Sequence, residues 1–211
     1  MKFKFPFFPR SAFWFLTMGF PAASHAAELQ ASDGAQNDSF GSSVATSGGF
    51  YGLIGATDSE TGSAYLFRDL EPASGTVTQN ATLVASDRMS GDFFGHVAIF
   101  GNIAIVGASS KRIGNNFAQG AAYVFRNLDT ANGTISQNAK LLASDGKEIS
   151  SFGGSVSISG TNGLIGAARN PVGINFDQGT AYLFRNLHTV TGTITQNVKL
   201  TASDGRAGDF F

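Results

Sequence analysis

The feature that most constrains this chain is a long internal repeat. An Ala-Ser-Asp triplet ends each unit, and its aspartate recurs at Asp33, Asp87, Asp145 and Asp204, in steps of 54, 58 and 59 residues. Between successive triplets the same landmarks return. These are Phe-Gly at 40–41, 94–95 and 152–153, then Gly-Ala at 55–56, 107–108 and 166–167, then Tyr-x-Phe-Arg ending at Arg68, Arg126 and Arg185. Self-similarity at this period means that each unit is a small supersecondary structure that buries its apolar surface against its neighbours.

Each unit holds four strand-like runs separated by turn residues, in the third copy 154–159, 163–168, 180–187 and 197–202. Their length suits strands, and nothing after the first few dozen residues carries a capped helical stripe. In order along a unit the strands are a, b, c and d, an antiparallel meander. Strands b and c are apolar on both parities, as in Leu164-Ile165 and Tyr182-Leu183-Phe184, so both faces of each sheet must be covered. Small residues such as Gly166, Ala167 and Ala181 allow close approach of a neighbouring sheet. Four-stranded sheets stacked face to face predict an all-β fold, a partial and open β-propeller of three four-stranded antiparallel blades plus the start of a fourth. The blades span roughly 40–87, 94–145 and 152–204, with a lone N-terminal strand at 28–33 and a truncated fourth junction at 205–211. Three blades fall short of the usual ring of about 4 to 8, so two apolar faces are expected to stand open and to favour self-association. The N-terminal strand is expected to be loose or paired at an edge.

Residues 1–26 read as a signal peptide. Lys2, Lys4 and Arg10 precede the apolar run 11–20, and Ser24-His25-Ala26 suits cleavage before Ala27. The expected location is therefore secreted, periplasmic or at the cell surface. Without that segment 11 Lys and Arg face 15 acidic residues, and no basic patch suggests nucleic acid as a partner. No later run is long enough to span a membrane as a helix. The chain has no cysteine, so packing and strand pairing must hold it.

The run F-G-x-S-V, G-A, A-Y-x-F, K-L-x-A-S-D-G resembles the FG-GAP repeat, in the bacterial variant whose copies join through L-x-A-S-D-G-x-x-G-D-x-F-G. Residues 87–95 (DRMSGDFFG) and 33–41 (DGAQNDSFG) match that junction nearly position by position. The resemblance implies the propeller of integrin α-chains and a role in binding other proteins or surfaces outside the cell, as in adhesion. It also implies calcium, common in the family and held in many blades by a D-x-D-x-D-G loop between strands a and b. The corresponding hairpins here, 46–52, 100–102 and 159–163, contain no carboxylate, so no cofactor or metal is expected.

The junction aspartates, Asp33 with Asp38, Asp87 with Asp92 and Asp204 with Asp209, read as Asx turns, with Asp145 and Ser151 in the third junction. Asp58-Ser59-Glu60 reads as a solvated turn, and Arg68, Arg126 and Arg185 as donors to carbonyls of the c–d turns. Past residue 26 only His96 and His188 could act as a histidine base, and neither recurs between copies. No G-x-S-x-G, H-E-x-x-H or phosphate-binding loop is present, so no catalytic residues are assigned and the chain is read as not an enzyme.

In a meander the b–c and d–a connections share one end of the blades, and the b–c loops diverge most in length. The candidate binding face is therefore drawn from Lys111, Arg112, Asn116 and Phe117 in the second copy and Arg169, Asn175, Phe176 and Asp177 in the third. Phe117 and Phe176 share the pattern G-x-N-F-x-Q-G and could either plug the rim or make contact. The sequence thus points to a secreted, non-catalytic repeat segment binding protein or glycan. Two alternatives stay open: a fragment of an extracytoplasmic propeller enzyme, a glycan lyase or hydrolase with its catalytic residues elsewhere, or a truncated reading frame without its own activity.

Overall fold

A computed structural model of the chain describes residues 27–57, 61–71 and 73–211. The expected signal peptide and the Asp58-Ser59-Glu60 turn lie outside these residues. The described chain is all-β, without helix. After β1 (Glu28–Gln30), the first repeat runs β2 (Phe40–Ser47), β3 (Tyr51–Ala56), β4 (Ser63–Phe67), β5 (Thr76–Thr78) and β6 (Ala81–Val84). The second runs β7 (Phe94–Phe100), β8 (Ile103–Ala108), β9 (Ala121–Phe125), β10 (Gly133–Ser136) and β11 (Ala139–Leu142). The third runs β12 (Ser155–Ser159), β13 (Asn162–Ala167), β14 (Thr180–Phe184), β15 (Gly192–Thr195) and β16 (Val198–Leu200).

Strands a, b, c and d of each copy pair antiparallel in sequence, as β2-β3-β4-β6, β7-β8-β9-β11 and β12-β13-β14-β16. The result is an open, partial propeller of three blades. The c–d connection, expected to be a turn, contains a further short strand. That strand leaves its own blade and adds to the preceding one, parallel to strand d: β10 on β6 and β15 on β11. The first two blades are therefore five-stranded. By the same rule β5 takes β1 as its parallel partner, with Leu29 opposite Val77. The N-terminal strand is thus edge-paired and stands where a preceding blade would place its strand d. The G-T-x-T/S stretch contains only one apolar residue, too little alternation to announce a strand.

Blades pack through two interior cores. Leu53, Leu66 and Leu83 of the first blade meet Phe94, Tyr123 and Phe125 of the second. Ile105, Val124 and Leu141 of the second meet Phe152, Tyr182 and Phe184 of the third. The Phe of each Phe-Gly pair sits tilted or edge-on against the Tyr and Phe of its own strand c, with ring centroids 5.6 and 6.2 Å apart for Phe94. The outer face of the first blade is covered in part by Leu29, Ala31, Leu70 and Val77. Among the described residues, only one of the two faces expected to be open is bare. On the third blade Leu164 is 40% and Leu200 42% exposed, whereas their counterparts Ile105 and Leu141 are fully buried.

Glycine lets backbone of one blade lie against backbone of the next. A register shift between Phe94 and His96 frees Gly95 from the ladder, and its carbonyl lies where a Cβ on Gly55 would stand, 1.8 Å away. Gly153 meets Gly107 in the same way, at 1.9 Å. Gly107 has ordinary strand backbone, so only the absence of a side chain matters there. Gly107→Ala is expected to destabilise the protein by about 3 kcal/mol or more, since backbone rather than a mobile side chain blocks the methyl group. Gly34→Ala, whose nearest neighbour would be 3.4 Å away, is the control and should change the denaturation midpoint little.

Candidate functional site

At the two seams between blades the serine and aspartate of the Ala-Ser-Asp triplet find side-chain partners in the next repeat. Tyr123 donates its hydroxyl to Asp87 Oδ1 at 2.8 Å, and Lys140 Nζ approaches Asp87 Oδ2 at 2.7 Å. Tyr182 and Lys199 serve Asp145 in the same way, at 2.8 and 2.5 Å. The triplet serine is clamped by glutamine: Ser86 N–H donates to Gln137 Oε1 at 2.9 Å, and Gln137 Nε2 donates back to Ser86 Oγ at 2.8 Å. Arg68 donates to the carbonyls of Leu128 and Asp129, and Arg126 to that of His188. Arg68 and Arg126 do bond c–d turns, but those of the following repeat rather than their own. Burial on its own would raise the Asp87 and Asp145 carboxyls. The hydrogen bonds from Lys and Tyr, with the adjacent lysine charges, outweigh it and hold both below the ordinary carboxylate range. The same contacts, led by burial, push the Tyr123 and Tyr182 phenols up, and Tyr65, which faces Asp33, up to about 12.

The second junction carboxylate does form the expected turn. Asp92 Oδ2 accepts from Met89 N–H, and Asp209 Oδ2 from Arg206 N–H, each at 2.7 Å. In the third junction the turn is made by Ser150, whose Oγ accepts from Lys147 N–H at 2.9 Å. Ser150, not Ser151, therefore takes the aspartate's place. Lys111, a candidate contact by sequence, is only 3% exposed. Its ammonium lies 2.8 Å from Asp92 Oδ2 and also donates to the Asp87 carbonyl. The third blade puts Asn170 at the matching position, where it accepts from Ser150 Oγ at 2.8 Å. A buried ion pair in one blade is thus replaced by a neutral hydrogen bond in the next.

Of the other candidates, Arg112 is exposed and lies over the Phe117 ring at 5.5 Å from its centroid. Asn116 and Asn175 are structural. Each donates to the glutamine three residues on (Gln119, Gln178) and to the carbonyl of the glycine after the triplet aspartate (Gly146, Gly205). Each also closes a two-residue hairpin, with a left-handed Gly114 or Gly173 at the first central position. The d–a junction then lies along the b–c loop, with Ile149, Ser151 and Phe152 donating to the carbonyls of Phe117, Ala118 and Gln119. The repetition 208, 210 and 211 onto 176, 177 and 178 follows the same scheme.

These contacts set the d–a junction 147–149 and Asn116 opposite the b–c loop of the third blade, enclosing a cleft of about 640 Å³. Asn116, Arg169, Phe176 and Asp177 line it, together with Lys147, Glu148, Ile149 and Pro171. Lys111, Arg112, Phe117 and Asn175 are not among its lining residues. Phe176 is 76% exposed, so that ring does not plug the rim. The junction residues 147–149 were not marked by sequence, because divergent length, the usual sign of a functional loop, belongs to the b–c connections and not to the d–a junctions. The departure of Lys147-Glu148-Ile149 from the corresponding Met89-Ser90-Gly91 could have marked them. His96 is half-buried, its pKa lowered by desolvation, with Ser109 Oγ 3.4 Å from Nε2. Among the described residues no three His, Asp, Glu or Cys side chains converge as a metal site requires, and no helix is long and apolar enough to cross a membrane.

The architecture agrees with sequence comparison, in which the FG-GAP repeat matches at residues 24–67, 77–125 and 135–184. The chain belongs to the FG-GAP repeat family. Among curated proteins no match is found. The second and third matched units of this FG-GAP protein begin within the crossing strands β5 and β10 and end in strand c, so each straddles a seam between blades.

Two outcomes follow from the seam. Because the folded pKa values of Asp87 and Asp145 are depressed, their contribution is present above the unfolded value of about 4 and is lost as pH falls through the folded values. Denaturant midpoints should therefore drop in acid, and Asp87→Asn with Asp145→Asn should flatten that decline. Lys111→Ala should cost about 3–5 kcal/mol by stranding a buried carboxylate. Lys111→Asn combined with Asp92→Ser, which copies the third blade, should recover most of that loss in a double-mutant cycle.

Proposed function

We propose that this FG-GAP protein is an exported, non-catalytic binding repeat that engages an extracellular protein or glycan through the face carrying its b–c loops and d–a junctions. The observation that carries this reading is the cleft between the second and third blades. A rigid scaffold holds it open, an exposed aromatic ring stands at one wall, and four charged side chains line it. Export rests on the charged, apolar and small-residue order of residues 1–26. No metal is needed for folding in this reading.

Binding to immobilised extracellular proteins and to a glycan array tests it. Phe176→Ser with Arg169→Ala should weaken capture about tenfold or more, the size expected when a central contact is removed. Phe50→Ser, which alters an exposed ring on an a–b hairpin, should leave capture unchanged. Equal loss from both variants would dismiss the loop face. The mature chain should begin at Ala27 in the exported fraction, and calcium or chelator should not shift its melting temperature.

A second reading rests on the bare face of the third blade. Leu164 and Leu200 there repeat side chains that are wholly buried at the interior seams. We infer self-association through this face. Sedimentation should show a concentration-dependent species that Leu164→Asp removes.

A further inference from the structure

The d–a junction places two residues in left-handed backbone in every repeat; the second is always Ser or Phe (Ser39, Phe93, Ser151 and Phe210), and the first, two positions earlier, varies in kind. The first is Asn37 (φ 71°), Gly91 (φ 82°), Ile149 (φ 63°) and Gly208 (φ 83°) in turn. Glycine and asparagine adopt this conformation readily, whereas a β-branched residue there is strained. The fold does not require isoleucine at this point. The hydrogen bond from Ile149 N–H to the Phe117 carbonyl is matched by that from Gly208 to Phe176, at 2.8 and 2.9 Å. Nor is the strain offset by burial, because Ile149 is 44% exposed. Its side chain lines the cleft with Pro171 and Phe176. Strained residues that the packing does not explain concentrate at functional sites.

We propose that Ile149 is a specificity-determining contact of this cleft, and that the occupant is a protein segment carrying an apolar anchor residue rather than a glycan. This rests on the binding-face reading above and deepens it. An aliphatic side chain offers a sugar no hydrogen-bond partner, but with Pro171 and Phe176 it provides an apolar seat for an aliphatic or aromatic side chain. The charges in the lining point the same way. Lys147, Arg169, Glu148 and Asp177 all line the cleft, and none belongs to an ion pair among the described residues. A polypeptide can carry both signs around an anchor. An acidic glycan would meet Glu148 and Asp177 with like charge.

The test uses the whole chain, a displayed library of random peptides and a glycan array. The selected peptides should share an apolar residue flanked by charge, and Ile149→Gly should weaken their binding at least tenfold. The same substitution relieves the backbone, so the variant should melt higher, by roughly 2–4 °C for a chain of this size. A residue with a merely structural role would lose stability and binding together. Ile149→Val, which keeps the contact, should retain most of the affinity. Peptide binding unchanged by Ile149→Gly overturns the assignment of Ile149. Capture of glycans alone overturns the protein-segment occupant and leaves the binding face standing, whereas capture of neither rejects both.

Discussion

The approach of one blade's Phe-Gly carbonyl to a glycine of the blade before it sets the geometry of the whole molecule. Gly95, freed by a register shift, and Gly153, just ahead of β12, bring backbone oxygen to within 2 Å of where a Cβ on Gly55 or Gly107 would stand. A second pair tightens the same seam, because a Cβ on Gly120 would lie 2.0 Å from the Phe152 carbonyl. With backbone against backbone at the blade start, the neighbouring Leu, Ile and Val side chains can close over Phe and Tyr without a gap. Each fully buried side chain of that size contributes about 1.5–3 kcal/mol. One methyl group at a seam glycine would separate two sheets whose burial is cooperative.

The seam also explains why the polar residues recur. Burying two sheet faces leaves the ends of strand d with a serine and an aspartate that must find partners. The following repeat provides them, as glutamine for the serine and as tyrosine and lysine for the aspartate. The first repeat has Thr82 where the others have Lys140 and Lys199, so the acid at that seam, Asp33, lacks the lysine. The crossing strand adds a main-chain bond between repeats, protecting the edge of strand d that would otherwise be free to pair elsewhere. Side-chain clamp, crossing strand and glycine contact all join successive repeats. That makes the repeat-to-repeat interface, more than the single blade, the unit on which stability depends.

Much of this was legible in the residues. The period, the four antiparallel strands, the covered faces and the small residues at the seams follow from apolar runs and from Gly and Ala at fixed offsets. The crossing strands were not legible, because Gly-Thr-Ile-Thr has one apolar residue and pairs outside its own blade. The seam partners of Asp87 and Asp145 were missed for a related reason. They lie more than thirty residues downstream, and only the topology brings them close. Lys111 was misplaced on the surface because a lysine in a variable loop ordinarily faces water. Its burial depends on Asp92, 19 residues upstream, which the fold brings to 2.8 Å from its ammonium.

That substitution also bears on how a repeat acquires a site. The second and third blades solve the same packing problem with charge in one and with amide and hydroxyl in the other, so the b–c loop can vary while its anchorage is kept. The anchorage is the asparagine–glutamine pair and the three main-chain bonds from the following junction. With these in place, the residues between them are released from structural duty: Ile174 is 91% and Phe176 76% exposed. Exposed apolar side chains on a mobile loop would be a liability. On a loop held at both ends they are presented in one geometry, which lowers the entropy lost on contact. The rigidity of the seam and the variability of the cleft therefore have a single origin. The loop is free to differ between blades because none of its exposed side chains is needed to hold the blades together.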